Sequence, residues 1–407
     1  MAVTDRSHAA GLDGDDPLGS FRSRFVDVDP SLVYLDGNSL GMLPRATSAR
    51  LRQVVEEEWG QGLIRSWDTW VDLPQRVGDR LGTALLGARP GETVVADSTT
   101  VNLYKALTAA VAARPGRVAI VVDSHEFPTD RYVAAAVAAA HNLEVRGLDA
   151  DDVSGPGLTD VERAVAAGDV AAVVVSLVSF RSGAWADLAG ITAAAHAGGA
   201  IVVWDLSHAV GSVPVDLPAA DADVAVGCTY KYLCGGPGAP AFVWVNRDRQ
   251  ADLRQPVWGW FAQRRQFEMG PAFDPVGGAA GWLSGTPPVL GLVAVDEGVG
   301  LVAEAGMVAV RAKSEALTAL ASDLIDAWLA PFGCEVATPR LPARRGAHVA
   351  VRHRHADALV PALRRDSVVA DFRPPDLVRL GLSPLTTRFT DVWDGLDRFR
   401  RILASQR

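Results

Sequence analysis

Ile201-Val202-Val203-Trp204-Asp205-Leu206-Ser207-His208 opens with four apolar residues and runs straight onto a carboxylate. A strand with only apolar side chains has no face to give to water, so it belongs inside a sheet covered on both sides. Residues 118–122 and 170–175 read the same way, and 241–245 is a further strand. Helical, alanine-rich stretches at 132–141, 159–167 and 189–197 fall between them. Alternation of this kind predicts an α/β fold with a mostly parallel sheet and helices on both faces.

Outward from this centre the texture changes. Residues 1–44 read as an arm: a polar leader, the short apolar stretch Leu32-Val33-Tyr34-Leu35, then the turn-rich Asp36-Gly37-Asn38-Ser39-Leu40-Gly41. A helical pattern covers 45–60, and the large lobe extends to about residue 290. Beyond it come one long helical stretch (290–329), strands at 348–353, 368–372 and 377–380, and helices at 356–365 and 389–405. These predict a smaller α+β lobe over 291–407.

Of the 407 residues 49% are hydrophobic and 21% charged, an ordinary globular balance. The net charge of −9 argues against a nucleic-acid partner, which needs a basic face, and against an anionic membrane surface. No apolar run reaches the ~18 residues of a membrane span. The first twenty residues carry Asp5, Asp13, Asp15 and Asp16 and lack the apolar segment of a secretory signal. Three cysteines (Cys228, Cys234, Cys334) without CxxC spacing suit a reduced, cytoplasmic setting. Lysine occurs only at 105, 231 and 313.

In open α/β sheets ligands bind beyond the carboxyl ends of the strands, so polar residues that directly follow apolar runs carry the information. Asp205 is one. A partly buried carboxylate needs a cationic partner, and a protonated pyridine nitrogen is a candidate; a helix N-cap or turn aspartate fits the same pattern. Lys231 is another, in Gly227-Cys228-Thr229-Tyr230-Lys231-Tyr232-Leu233-Cys234-Gly235-Gly236. Apolar and aromatic flanks lower a lysine pKa and favour imine formation, whereas a snorkelling surface lysine would prefer polar neighbours. Lys105, in an apolar helical run, and Lys313, beside Arg311 and Glu315, read as ordinary helix-surface residues. Ser98-Thr99-Thr100 heads a helical run, where hydroxyls and backbone N–H groups can cradle a phosphate or simply cap the helix. Phe127 and Asp130, in Phe127-Pro128-Thr129-Asp130, could stack on and hydrogen-bond a flat ring, or form a plain Pro turn. His348, His353 and His355 lie close together without a carboxylate or cysteine at ligand spacing, so no metal site is expected.

Taken together these segments resemble the kynureninase family, pyridoxal-phosphate hydrolases of the aspartate-aminotransferase fold. The resemblance rests on Tyr34-Leu35-Asp36-Gly37-Asn38-Ser39-Leu40-Gly41, on residues 98–103, 127–130, 204–211 and 228–233, and on Gly285-Thr286-Pro287-Pro288, six segments in order and in approximate spacing. It implies the pyridoxal-phosphate transferase fold of type I: a large domain with a mostly parallel sheet of the seven-stranded type, plus a small α+β C-terminal domain. It implies Lys231 as the Schiff-base lysine, Asp205 as partner of the pyridine nitrogen, and His208 on the same face of the ring. Thr99, Thr100, Tyr230 and Ser176 are implied as phosphate contacts, Phe127 as the stacking ring and Asp130 as its support. Arg379 is implied to grip the substrate carboxylate, a task suited to a bidentate guanidinium. Trp67 lines the aromatic end of the substrate, with Asn38 also on the substrate side. The resemblance further implies that Trp260 and Thr286 are contributed by the second subunit of a homodimer and that Tyr230 carries protons in the later steps.

The implied reaction is hydrolysis of the Cβ–Cγ bond of L-kynurenine or 3-hydroxykynurenine to anthranilate or its 3-hydroxy analogue and L-alanine, in tryptophan breakdown or NAD formation. The alternative is another enzyme of the class V group, an aminotransferase or a cysteine desulfurase; the latter needs a nucleophilic cysteine on a mobile loop. A non-catalytic cofactor-binding module is a rival of another kind, and a dinucleotide enzyme lacks its glycine fingerprint. Two departures fall near the substrate's aryl ring and leave its preferred substitution open. Gly259-Trp260-Phe261-Ala262-Gln263 carries Gln263 where the family usually has histidine, and the segment from Trp67 to Trp70 is shorter by a residue or two.

Overall fold

The computed structural model describes residues 2–406; Met1, at the start of the expected arm, and Arg407 lie outside it. A two-residue strand, β1 (Val33–Tyr34), comes first. The main sheet follows, built from β2 (Thr93–Val95), β3 (Ala119–Asp123), β4 (Glu144–Leu148), β5 (Val170–Ser176), β6 (Ile201–Asp205), β7 (Val224–Gly227) and β8 (Phe242–Val245). Their order across the sheet is β2-β8-β7-β6-β5-β3-β4. Adjacent strands from β7 to β4 pair in parallel, and β8 runs against both its neighbours.

The apolar runs behave as a doubly covered sheet requires. Side chains alternate between two faces along a strand. Val121, Val173, Val202 and Trp204 enter one core, with the helices Leu73–Leu85 and Val289–Ala305. Ile120, Val122, Val174, Ile201 and Val203 enter the other, with the helices Thr99–Ala112 and Pro128–His141. By the same alternation Ser176 and Asp205, the last residues of β5 and β6, point to the second face. They are direct neighbours across the parallel ladder. The sequence alternation therefore delivers two polar side chains to the face where both those helices begin.

The remaining strands are β9 (Glu335–Val336), β10 (His348–Arg352), β11 (Val368–Val369), β12 (Asp371–Arg373) and β13 (Leu377–Gly381). Four of them form an antiparallel sheet in the order β12-β13-β10-β9, while β11 pairs in parallel with β1. The expected single helix over 290–329 is interrupted. Val289–Ala305 ends at Gly306, whose φ of +76° suits glycine, and Met307–Leu324 starts afresh. The expected strand over 368–372 is likewise split between two sheets. Among the described residues no helix is long and apolar enough to cross a membrane.

Lys105 and Lys313 are not on helix surfaces. Lys105 is fully buried, with Nζ 2.6 Å from Asp97 Oδ2 and 2.8 Å from the Trp282 carbonyl. Lys313 is buried against Asp16 at 2.6 Å, and the pair is almost wholly withdrawn from water. Each partner lies off the lysine's own helix, so helical periodicity could not reveal either pair. Removing one member of the second pair strands a charge in the core. Lys313→Ala or Asp16→Ala should each cost about 3–5 kcal/mol, whereas the apolar double replacement Asp16→Leu/Lys313→Met should come close to neutral. Denaturant unfolding of the three variants checks this, and single variants as stable as the parent would refute it.

Candidate active site

The carboxyl ends of β3, β5, β6 and β7 meet one edge of the sheet, and the candidate residues follow them. Lys231 lies in the loop after β7. Its Nζ stands 3.3 Å from Nδ1 and 3.2 Å from Nε2 of His208, whose loop follows β6. Burial lowers the Lys231 pKa, and the nearby guanidiniums of Arg379 and Arg373 push the same way. His208 is buried, and its pKa lies well below the ordinary imidazole value through burial and the neighbouring Lys231 and Arg379. It therefore stands neutral, with the ring of His348 5.7 Å away.

Asp205 accepts a hydrogen bond from the Ser207 N–H at 2.5 Å. Asp130, in the first turn of Pro128–His141, is buried with neither carboxylate oxygen hydrogen-bonded. Its pKa is raised well above the usual range by burial and by the charges of Asp205 and Glu126. Phe127 precedes that helix and packs edge-on against Phe180 at 5.2 Å. Ser98 caps Thr99–Ala112 by accepting from Val101 N at 3.3 Å, which leaves Thr99 half-buried and Thr100 exposed at the positive end of the helix. Burial pushes the Tyr230 phenol above its ordinary range, so it stays protonated at neutral pH.

Arg379 is buried on β13. Its Nε donates to Asp371 Oδ1 at 3.0 Å and its Nη2 donates to Asp371 Oδ2. Nη2 also reaches Ser39 Oγ at 3.0 Å, and Nη1 donates to the Phe180 carbonyl at 2.6 Å and approaches His208 Nε2 at 3.4 Å. Asn38 is buried with both amide atoms unpaired, against the backbone of Gly381.

The structure thus gathers Lys231, His208 and Arg379 in direct contact. Asp205, Asp130 and Phe127 stand with Ser176 at the adjoining strand ends, around a residue absent from the sequence reading. That residue is Glu126, buried, with its carboxyl pushed up to about 7 mainly by burial. It directly precedes Phe127, and a charged side chain wedged between a strand end and that ring is the available signal. Asp371, also passed over, sits directly across the ladder from Arg379. Three expected residues lie elsewhere. Trp67 packs against Trp70 and Phe261, and Trp260 packs against Phe261 and Phe267. Thr286 is exposed. None of the three has a hydrogen bond or ring contact with Lys231, His208 or Arg379 among the described residues. Gln263 uses its amide within its own loop, accepting from Asp274 N at 2.7 Å and donating to the Ala272 carbonyl at 3.3 Å. Among the described residues no cluster of histidine, cysteine and carboxylate side chains could hold a metal ion.

The donor set fits pyridoxal phosphate. Asp130 presents unpaired buried carboxylate oxygens beside Asp205, which a protonated ring nitrogen would offset, and Lys231 is an amine made nucleophilic by burial. The fold and this constellation define a pyridoxal-phosphate enzyme of fold type I. Two solved structures share the fold: a cysteine desulfurase from Thermococcus onnurineus NA1, with a TM-score of 0.80, 16% identity and coverage of 97% of this chain and 98% of the other, and a C-DES variant with glycine covalently linked to its PLP cofactor, with 0.81, 16%, 93% and 98%. The kynureninase C-terminal domain model matches residues 310–399. Kynureninases from Burkholderia pseudomallei (strain 1106a) and Pseudomonas fluorescens are each 42% identical, over 98% of this chain and 96% of theirs. The chain belongs to the kynureninase family, and its cofactor is pyridoxal phosphate.

Residues 33–41 reach the lysine loop with no room to spare. Gly41 N–H donates to the Tyr230 carbonyl at 2.8 Å, and a Cβ at Gly41 would fall 2.3 Å from the Lys231 carbonyl. Gly41→Ala should therefore displace the lysine loop and weaken cofactor retention. Dialysis followed by absorbance of the bound cofactor tests it; wild-type retention and turnover would defeat the expectation.

Proposed function

We propose that this chain hydrolyses the Cβ–Cγ bond of L-kynurenine, or of its 3-hydroxy analogue, to L-alanine and the corresponding anthranilate. The observation that carries the reading is that Lys231 and Arg379 converge on one imidazole, with Nζ at 3.2 Å and Nη1 at 3.4 Å from Nε2 of His208. An amino acid whose carboxylate is held by Arg379 therefore has its α-carbon within reach of Lys231. Identity of 42% over nearly the whole length of named kynureninases supports the substrate class.

Each residue then has a task. Asp371 fixes the Nε side of the Arg379 fork, and the substrate carboxylate would take the Nη1–Nη2 edge in exchange for Ser39 Oγ and His208 Nε2. Lys231, its pKa lowered by burial, would take the Cα proton as general base. Asp205, supported by Asp130, would keep the ring nitrogen protonated, Phe127 would stack on the ring, and Thr99, Thr100 and Tyr230 would hold the phosphate, while Ser176, whose N–H and hydroxyl both donate to Glu126, stands beside Asp205. Bound pyridoxal phosphate supplies an electron sink for the bonds broken at Cα and between Cβ and Cγ. Water adds to the γ-ketone, the Cβ–Cγ bond breaks with its electron pair left toward Cβ and the acyl fragment leaving as the acid, and Tyr230, held protonated, would carry the proton that Cβ gains as alanine forms. Asn38 closes the substrate's amino-acid end.

We further propose a homodimer in which Trp260 and Thr286 complete the partner's site, with Trp67 lining the aryl end. Exposed apolar side chains at Trp258, Trp260, Phe267 and Met269 support burial by another copy. The division into an arm (1–44), a large lobe (45–290) and a small lobe (291–407) is proposed on the same footing, since the seven-stranded sheet falls wholly within the second range and the four-stranded sheet within the third. A cytoplasmic location is proposed from three free, buried cysteines. Those thiols also count against a desulfurase: burial pushes Cys234 and Cys334 up to about 12, and neither is exposed for attack.

Lys231→Ala should keep the fold and lose anthranilate fluorescence on addition of kynurenine; near-normal turnover would end the assignment. Borohydride reduction of the holoenzyme should label Lys231 alone, because Lys105 and Lys313 are committed to buried ion pairs. Mixing Lys231→Ala with Trp260→Ala subunits should restore activity that neither has alone, since a hybrid dimer holds one complete site. Absence of complementation, with hybrids present, would refute the shared site.

A further inference from the structure

Glu126 sits where two strands end unequally. The last ladder pair between β3 and β5 is Val122 with Val174, so the N–H of Ser176 has run past its partner strand. A buried N–H left there would be costly. Glu126 fills the place: Oε2 accepts from Ser176 N at 2.8 Å, while Oε1 accepts from Ser176 Oγ at 2.7 Å and from Phe127 N at 2.9 Å. Three donors on one carboxylate, itself 3% exposed, make a rigid joint between the end of β5 and the residue that precedes Pro128–His141. The joint extends outward. Phe127 packs on Phe180, and the Phe180 carbonyl holds Arg379. The other charged groups on this side are the carboxylates of Asp123 on β3, Asp130 on the helix and Asp205 on β6.

We propose that Glu126 is a positioning residue for pyridoxal phosphate: it locks Phe127 and Ser176 into one preformed unit that receives the cofactor. This rests on the reading that Phe127 stacks on the ring and that Asp205, the ladder neighbour of Ser176, meets the ring nitrogen. The function calls for a carboxylate. A glutamine keeps the shape, yet it must turn its amide N–H groups toward at least one of the three donors, and an aspartate keeps the charge but cannot span both residues.

The test is titration of the apoenzyme with pyridoxal phosphate, followed by visible-region circular dichroism of the bound cofactor, for the parent, Glu126→Gln, Glu126→Asp, Ser176→Ala and the double variant Glu126→Gln/Ser176→Ala. Far-UV dichroism and the Tm of each apoenzyme report folding. Both Glu126 variants should bind the cofactor about tenfold more weakly or worse, with a diminished visible band, as expected for loss of charge-assisted hydrogen bonds. The double variant should lose no more than Glu126→Gln does alone, because Glu126 acts through Ser176 and Phe127. Should Glu126→Gln not fold, Glu126→Asp carries the same expectation. Parent-like affinity and dichroism in a folded Glu126 variant, or fully additive losses in the double variant, would overturn the proposal. A parent that binds no pyridoxal phosphate would remove the underlying reading and this proposal together.

Discussion

Burying negative charge is the constraint around which this molecule is arranged. Asp123, Glu126, Asp130 and Asp205 are all withdrawn from water at the ends of β3 and β6 and in the turn and helix that follow β3. Burial raises the pKa of the first three, and the neighbouring carboxylates push Glu126 and Asp130 further the same way. Such a group is stable when each member is hydrogen-bonded or meets a cation. Glu126 is satisfied by backbone and hydroxyl donors, and Asp123 accepts from His125 N. Asp130 has no such bond and keeps its demand for a proton or a positive ring.

The opposite wall carries the reverse charge. Lys231, Arg379 and Arg373 crowd against the two imidazoles His208 and His348, whose pKa values are lowered by burial and by those same cations. Neutral histidines let the cations approach without adding to their repulsion. The site is therefore polarised: one side asks for a cation and the other for an anion. A protonated heterocycle on the carboxylate side and an amino-acid carboxylate on the arginine side, as proposed, would answer both demands. Since each buried charge would be costly alone, the binding of two complementary groups stabilises a pocket that folding by itself leaves unbalanced.

What could be read from the sequence follows the same physics. The strands were legible because a doubly covered sheet excludes polar residues until its edge, which also exposed Asp205 and Lys231 as exceptions. The small partners were not. Asp371 meets Arg379 through strand register, which depends on how the segment between them turns. Asp16 meets Lys313 across almost three hundred residues. Local pattern carries no information on such pairs, so the two lysines read as surface residues. Glu126, one residue before the Phe127–Asp130 segment, drew no notice, because its importance comes from β3 stopping short of Ser176, a tertiary fact. The break at Gly306 was hidden by apolar residues on both sides that suit either one helix or two.

The arm shows why the N-terminal signature is built as it is. β1 is paired to β11, Gly381 N–H donates to the Leu35 carbonyl at 2.7 Å, and Ser39 Oγ donates to Asp371 at 2.8 Å. Gly41 then reaches the lysine loop through the Tyr230 carbonyl. Within nine residues the arm touches the strand that carries Arg379 and the loop that carries Lys231. Arg379 and Lys231 come from different sheets, and their shared approach to His208 needs both sheets held at one distance. Backbone hydrogen bonds do this more stiffly than side chains, since they lose no rotamer freedom on forming. The small residues at 37, 39 and 41 allow backbone to approach backbone there, and that closeness sets the spacing between Arg379 and Lys231.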